Sequence, residues 1–142
     1  MRINDILRNK GTSVLTVAPD MTVRQLLATL AEHNVGALIV SEDGETIVGI
    51  VSERDVVRQM HEHGAGLLNE TVSAIMTAEV HTCGPDDHID DLRRTMTDRR
   101  IRHLPVIREG RLVGIVSIGD VVKSAISELE TEREYLVGYI QG

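Results

Sequence analysis

Gly49-Ile50-Val51-Ser52-Glu53-Arg54-Asp55 decides how this chain is read, because Gly114-Ile115-Val116-Ser117-Ile118-Gly119-Asp120 repeats it 65 positions later. Each copy closes an apolar run with a hydroxyl and, three residues on, a carboxylate. The correspondence extends outward from both copies. Thr16, Pro19, Asp20, Leu26, Thr29, Leu38, Val40 and Gly44 recur 66 positions later. Val48 to Ser52 and Asp55 to Val57 recur 65 positions later, one extra residue in the first hairpin accounting for the change. Sixteen identities in one order mark an internal duplication, which sets the fold before any single element does.

Within the first unit, Ile3 to Leu7 reads as a short apolar-spaced turn and Val14-Leu15-Thr16 as a short strand ended by Pro19-Asp20. Thr22 with Gln25 makes a capping box, and Val23, Leu26, Leu27 and Leu30 then fall on one helix face. Gly36 to Val40 is a nearly continuous apolar run, the pattern of a strand buried on both faces. Glu42-Asp43-Gly44-Glu45 is turn chemistry, Ile47 to Val51 the returning strand, and a helix from Glu53 to His61 is stopped by Gly64-Ala65-Gly66. The second unit repeats this order. Val72 to Met76 matches the opening turn and Val80-His81-Thr82 the short strand. A helix with Ile89, Leu92 and Met96 inward follows, then a hairpin from Leu104 to Val116 and a helix from Asp120. The expected fold class is α/β (α+β), two tandem β-α-β-β-α repeats at 1–66 and 67–127 with an extended C-terminal helix, 128–142. Along that extension Ile126, Leu129, Leu136 and Ile140 keep an apolar stripe that Arg133 interrupts. It suits a partner helix or a cap on the module, with a solvated helix as the alternative.

Composition narrows the function. The 142 residues are 42% hydrophobic with no Phe or Trp, so branched aliphatics must fill the core. A net charge of −7 argues against nucleic-acid and membrane-surface binding, which need a basic footprint. The charge is uneven, however: Arg93, Arg94, Arg99, Arg100, Arg102, His103 and Arg108 crowd one stretch, either a solvated helix face or an anion-attracting patch. Cys83 is alone, so no intrachain disulfide forms. No signal-like segment or membrane-length apolar run appears, and a cytoplasmic protein is expected. His61-Glu62-His63 shares no helix face for a metal, Ser52 has no His to activate it, and neither GxGxxG nor a P-loop is present. The expectation is no enzyme, no metal and no required cofactor.

Two tandem units, each ending in Gly-Ile-Val-Ser-x-x-Asp, with Ile101-Arg102-His103-Leu104-Pro105-Val106 in the second, resemble a pair of CBS domains, the Bateman module. The resemblance runs from Ile3 to about Ile126. It implies two repeats packed with pseudo-twofold symmetry around two clefts, either of which holds an adenosine-containing ligand: AMP first, then ADP, ATP or NAD(H). Carried over to this sequence, Asp55 and Asp120 take the ribose hydroxyls, and Ser52 and Ser117 lie at phosphate or ribose. Gly36, Ala37, Arg102 and His103 line the adenine and phosphate side, and Arg54 supplies positive charge. Thr16, Thr82 and Pro105 complete the implied set. A carboxylate accepts from two vicinal hydroxyls at once, and a helix N-terminus with a Ser hydroxyl is an anion site. Ser-x-x-Asp is also nearly a capping box, and the two roles are compatible. Lys10, in an extra Asn9-Lys10-Gly11 segment, is either a phosphate contact or part of a solvated loop. The resemblance further implies a homodimer, with Val56, Val57, Val121 and Val122 serving an interface or the core, and a protein partner that reads the bound state. The alternative is a dimerisation scaffold with empty clefts.

Overall fold

The computed structural model describes residues 1–11 and 13–141. The first unit contains α1 (Ile3–Lys10), β1 (Thr16–Val17), α2 (Val23–His33), β2 (Ala37–Val40), β3 (Gly49–Ser52) and α3 (Glu53–His63). A 3-10 segment, Gly64–Asn69, leads to α4 (Val72–Ile75), α5 (Ile89–Arg99), β4 (His103–Arg108), β5 (Arg111–Ser117) and α6 (Ile118–Gln141). The opening turn is therefore a full helix in the first unit and one turn of helix in the second.

The two sheets share one register. β1 runs parallel to β2, which pairs antiparallel with β3 from Ala37↔Ser52 to Val40↔Gly49. In the second unit the antiparallel pair runs from His103↔Ser117 to Val106↔Gly114, with a bulge after Val106. The expected strand at Val80-His81-Thr82 does not form. Only Cys83 bridges β4, its N–H donating to Pro105 O (3.0 Å) and its carbonyl accepting from Ile107 N (2.8 Å). The next rung toward His81 needs a donor at position 105, and proline has none. Pro105 itself is buried and Thr82 exposed.

The helices form where their caps and faces require. Thr22 Oγ1 accepts from Gln25 N (3.2 Å) while Gln25 Oε1 accepts from Thr22 N (3.0 Å), the expected capping box at α2. The first hairpin turns through residues 41–48. There Asp43 accepts from Glu45 N (2.8 Å) and Thr46 N (2.7 Å), and Gly44 adopts φ 79°.

The helices also exchange partners. Val17, Val23, Leu26, Leu30, Leu38, Val40 and Val51 form one core with Val56, Leu67, Val72 and Ile75, so α4 packs on the first sheet. Ile3, Ile6 and Leu7 of α1 join Ile89, Leu92, Met96, Leu104, Val106, Val116 and Val121 in the other. Each unit's core is thus closed by the opening helix of its neighbour. Two further links bind the units: Ile50 and Thr77 exchange backbone bonds (3.0 and 2.9 Å), and Glu45 O accepts from Leu112 N (2.9 Å). Val56 and Val121 serve the cores, whereas Val57 and Val122, at equivalent places, are exposed. α6 carries exposed Ile126, Leu129, Leu136 and Ile140 beyond the module.

Candidate functional site

The start of α3 builds one wall of a cleft of about 360 Å³, within the range of small-molecule sites. Ser52 caps the helix: its Oγ accepts from Asp55 N (3.3 Å), while Asp55 Oδ2 accepts from Ser52 N (2.8 Å) and Ser52 Oγ (3.1 Å). The capping box and the exposed carboxylate edge therefore coexist, because one oxygen serves the cap. Gly36 and Ala37, opening β2, and Arg102 and His103, opening β4, line this same cavity with Ser52, Arg54 and Asp55. They meet because the pseudo-twofold relation sets the two strand starts side by side. A Cβ on Gly36 would stand 3.1 Å from Glu53 Oε1 and 3.9 Å from His103 Cε1. Thr16, Thr82, Pro105, Ser117 and Asp120 lie outside it.

Arg58, Thr77, Glu79, His81 and Arg100 also line the cleft and were not expected from the sequence. Arg58 was legible, since it follows Arg54 by one helical turn on the same face. Arg100 was not. It reaches the cleft because it caps α5 in the left-handed conformation, φ 54°, as Asn34 caps α2 at φ 52°. The basic cluster of the sequence thus divides: Arg100, Arg102 and His103 face the cleft, while Arg93 pairs with Asp90 (2.5 Å) on the surface.

His103 lines this cavity and lies within reach of the charges of Lys10 and Asp120 as well. Burial lowers its pKa below 6.5, and Lys10 and Arg102 lower it further, against opposing pulls from Asp120 and Glu53. The unfolded chain then binds this proton more readily than the folded one. The stability that this group contributes is therefore present above about pH 6.5 and is lost as the pH falls below it. The urea midpoint of the protein is expected to drop between about pH 7 and about pH 5.5, and the drop to shrink in His103→Gln. Identical profiles in both proteins would exclude His103 as the titrating group.

The equivalent strand-to-helix step of the second unit carries different chemistry. Ser117 and Asp120 repeat the cap, Asp120 Oδ2 accepting from Ser117 N (2.9 Å) and Ser117 Oγ accepting from Asp120 N (3.1 Å). Here Lys10 intervenes: its Nζ lies 2.6 Å from Asp120 Oδ2 and donates to Ile115 O at 3.0 Å. Burial raises the pKa of Asp120, but the Lys10 and Ser117 hydrogen bonds outweigh it and hold the carboxyl below its ordinary range. Lys10 thus ends α1 and pairs with Asp120 rather than lying in a loop. Elsewhere, burial and then Asp87 push the Cys83 thiol up to about 12, which leaves it protonated and unreactive at neutral pH.

The model of the CBS domain family matches residues 3–62 and 72–127, the two units just described. The chain belongs to the CBS domain family. As a CBS pair it is 38% identical over 148 residues to the CBS domain-containing protein CBSX3, mitochondrial, of Arabidopsis thaliana, covering 99% of this chain and 72% of that one. Among solved structures, the CBS-domain containing protein ATU1752 from Agrobacterium tumefaciens superposes with a TM-score of 0.85 at 42% identity. That match covers 88% of this chain and 99% of the other. The CBS domain pair of protein MJ0100, solved in complex with 5′-methylthioadenosine and S-adenosyl-L-methionine, has the same fold (TM-score 0.76, 24% identity, 87% and 98% covered). Among the described residues, no helix is long and apolar enough to cross a membrane.

Proposed function

We propose that this CBS pair is a regulatory module that binds an adenine nucleotide in the cleft at Asp55 and signals occupancy to a protein partner in the cytoplasm. The observation that carries this reading is the composition of that cleft. A half-buried carboxylate at a capped helix start shares one cavity with Arg54 and Arg58 of its own helix and with Arg100 and Arg102 of the second unit. The carboxylate suits vicinal ribose hydroxyls, the arginines suit phosphate, and Ala37 and Ile50 provide apolar wall for a base. The MJ0100 pair, which shares this fold, was solved in complex with adenosine compounds, which supports a ligand of that class here. AMP, ADP, ATP and NAD(H) all carry the required groups, AMP being the simplest of them.

Signalling needs a ligand that prefers one arrangement of the units over another. His103 and Gly36 lie where the two units meet, so a nucleotide there touches both. Melting temperature measured against AMP, ADP, ATP, NAD+, NADH and S-adenosylmethionine tests the proposal. A ligand at about 100 times its Kd adds roughly 2.7 kcal/mol, a shift of several degrees. Shifts confined to phosphorylated members are expected; no shift with any of them would overturn the reading. One observation favours a scaffold role as well: Val57 and Val122 are exposed at equivalent positions, and the α6 stripe continues from Val122. These faces suit a homodimer in which the clefts remain open, consistent with nucleotide sensing by a paired module.

A further inference from the structure

The chain ends in more helix than its fold employs. α6 runs for 24 residues, roughly 36 Å, yet only Val121 near its start is buried, and every residue from 126 to 141 is exposed. A helix of that length is marginal in water unless an apolar face is covered. Such a face is present. Val122, Ile126, Leu129, Arg133, Leu136 and Ile140 follow one another at alternating steps of four and three. That is the a/d seam of a two-stranded coiled coil, widened at its end by exposed Val137 and Tyr139. The module engages another face, where Met1 shares a groove with Ser127, Thr131 and Tyr135. The seam itself stays open, Ile126 and Leu136 being 52% exposed and Leu129 65%.

The one charge within the seam identifies its occupant. From Ser124 to Gln141 the helix carries Glu128, Glu130, Glu132 and Glu134 but a single cation, Arg133. Among the described residues Arg133 makes no ion pair. A second copy running parallel would set Arg133 against Arg133 in one layer, a like-charge contact. A second copy running antiparallel matches every seam position instead. Val122 then meets Ile140, Ile126 meets Leu136 and Leu129 meets Arg133, and each pair occurs twice by symmetry. Arg133 there packs its stem on Leu129 of the second copy. Its guanidinium lies within a helical turn of Glu130 and Glu132 of that copy, which supply the carboxylates it lacks.

We propose that α6 is the dimerisation element of this protein, pairing antiparallel with α6 of a second copy about an axis near Thr131, with Arg133 fixing the direction. The inference rests on the homodimer reading above and needs no nucleotide. A charge at a seam position costs stability and specifies direction in return. No residue of α6 lines the cavity at Asp55, so the pairing leaves that cavity clear. It also sets the two modules at opposite ends of the helix pair.

Light scattering of the full chain at tens of micromolar is expected to give the mass of a dimer. Leu129→Asp is expected to raise the dimer dissociation constant by roughly 100-fold. Leu129 is exposed in the single chain, so this variant is expected to keep its fold, which amide protection in the β2–β3 ladder checks. Arg133→Glu is expected to dissociate the dimer as well, whereas Arg133→Leu keeps it and loses the fixed direction. Direction is read by disulfide cross-linking in a mixture of Ile126→Cys and Leu136→Cys chains, the joined positions being identified by peptide mass. Links between positions 126 and 136 are expected. Prevailing links between 126 and 126 overturn the proposal. So does a Leu129→Asp chain that dimerises as the parent does, a result that leaves a homodimer through the module standing. A monomeric parent, whose seam then belongs to another protein or to solvent, overturns the proposal and the homodimer reading together. Nucleotide binding is read separately, from the melting shift of the same chain.

Discussion

Asp55→Ala is expected to weaken adenine-nucleotide binding at the first cleft by roughly 100-fold, as measured by isothermal titration. Two charge-assisted hydrogen bonds to ribose contribute about 3 kcal/mol together once non-additivity is allowed for, and each 1.4 kcal/mol is tenfold in Kd. The same carboxylate also caps α3, so alanine lowers stability by about 1 kcal/mol as well. The two effects are separated by Asp55→Asn. Its amide oxygen still accepts from Ser52 N and keeps the cap, but the negative charge that favours the hydroxyls is gone. The expected outcome is a large loss of affinity with little change in melting temperature. If Asp55→Asn binds nucleotide as the parent does, the carboxylate is a cap and nothing more.

The largest loss of stability is expected from Ile3→Ala, between about 2 and 5 kcal/mol, read as the shift in urea midpoint. Ile3 is fully buried, and it lies in the core of the second unit although it opens the first. Such a loss is a large share of the ~5–15 kcal/mol that holds a domain folded. It is also expected to be local in a telling way. Amide exchange in β4 and β5, which carry Leu104, Val106 and Val116, should accelerate first. The β2–β3 ladder, covered instead by α4, should hold until global unfolding. Acceleration confined to the first sheet would contradict the exchange of helices.

The exchange has a functional corollary. Because α1 is fixed to the second core by Ile3, Ile6 and Leu7, its C-terminal turn is delivered to Asp120.

Much of this architecture is legible in the residues. The duplication sets two units, the box of Thr22 and Gln25 starts α2 where expected, and Val23, Leu26 and Leu30 are buried as their spacing predicts. The strand missing at Thr82 was legible too, in the absent N–H of Pro105, once its ladder partner is known. Seven expected site residues, Gly36, Ala37, Ser52, Arg54, Asp55, Arg102 and His103, share one cavity. The contribution of Arg100 was hidden, because a left-handed helix cap held by Arg rather than Gly or Asn leaves no compositional signal.

By itself, then, the sequence determined the repeat, the order of elements within it and the chemistry at each α3-like helix start. These depend on neighbours within a few residues: caps, side-chain periodicity and the donors each residue owns. Tertiary structure alone decided which opening helix closes which core, that both strand starts face one cleft, and that Lys10 rather than a backbone amide meets Ile115 and Asp120. Those contacts join residues distant in the chain, Lys10 and Asp120 lying 110 positions apart. Any apolar helix of similar shape satisfies either core, so local pattern does not distinguish the partners; only the path of the folded chain does.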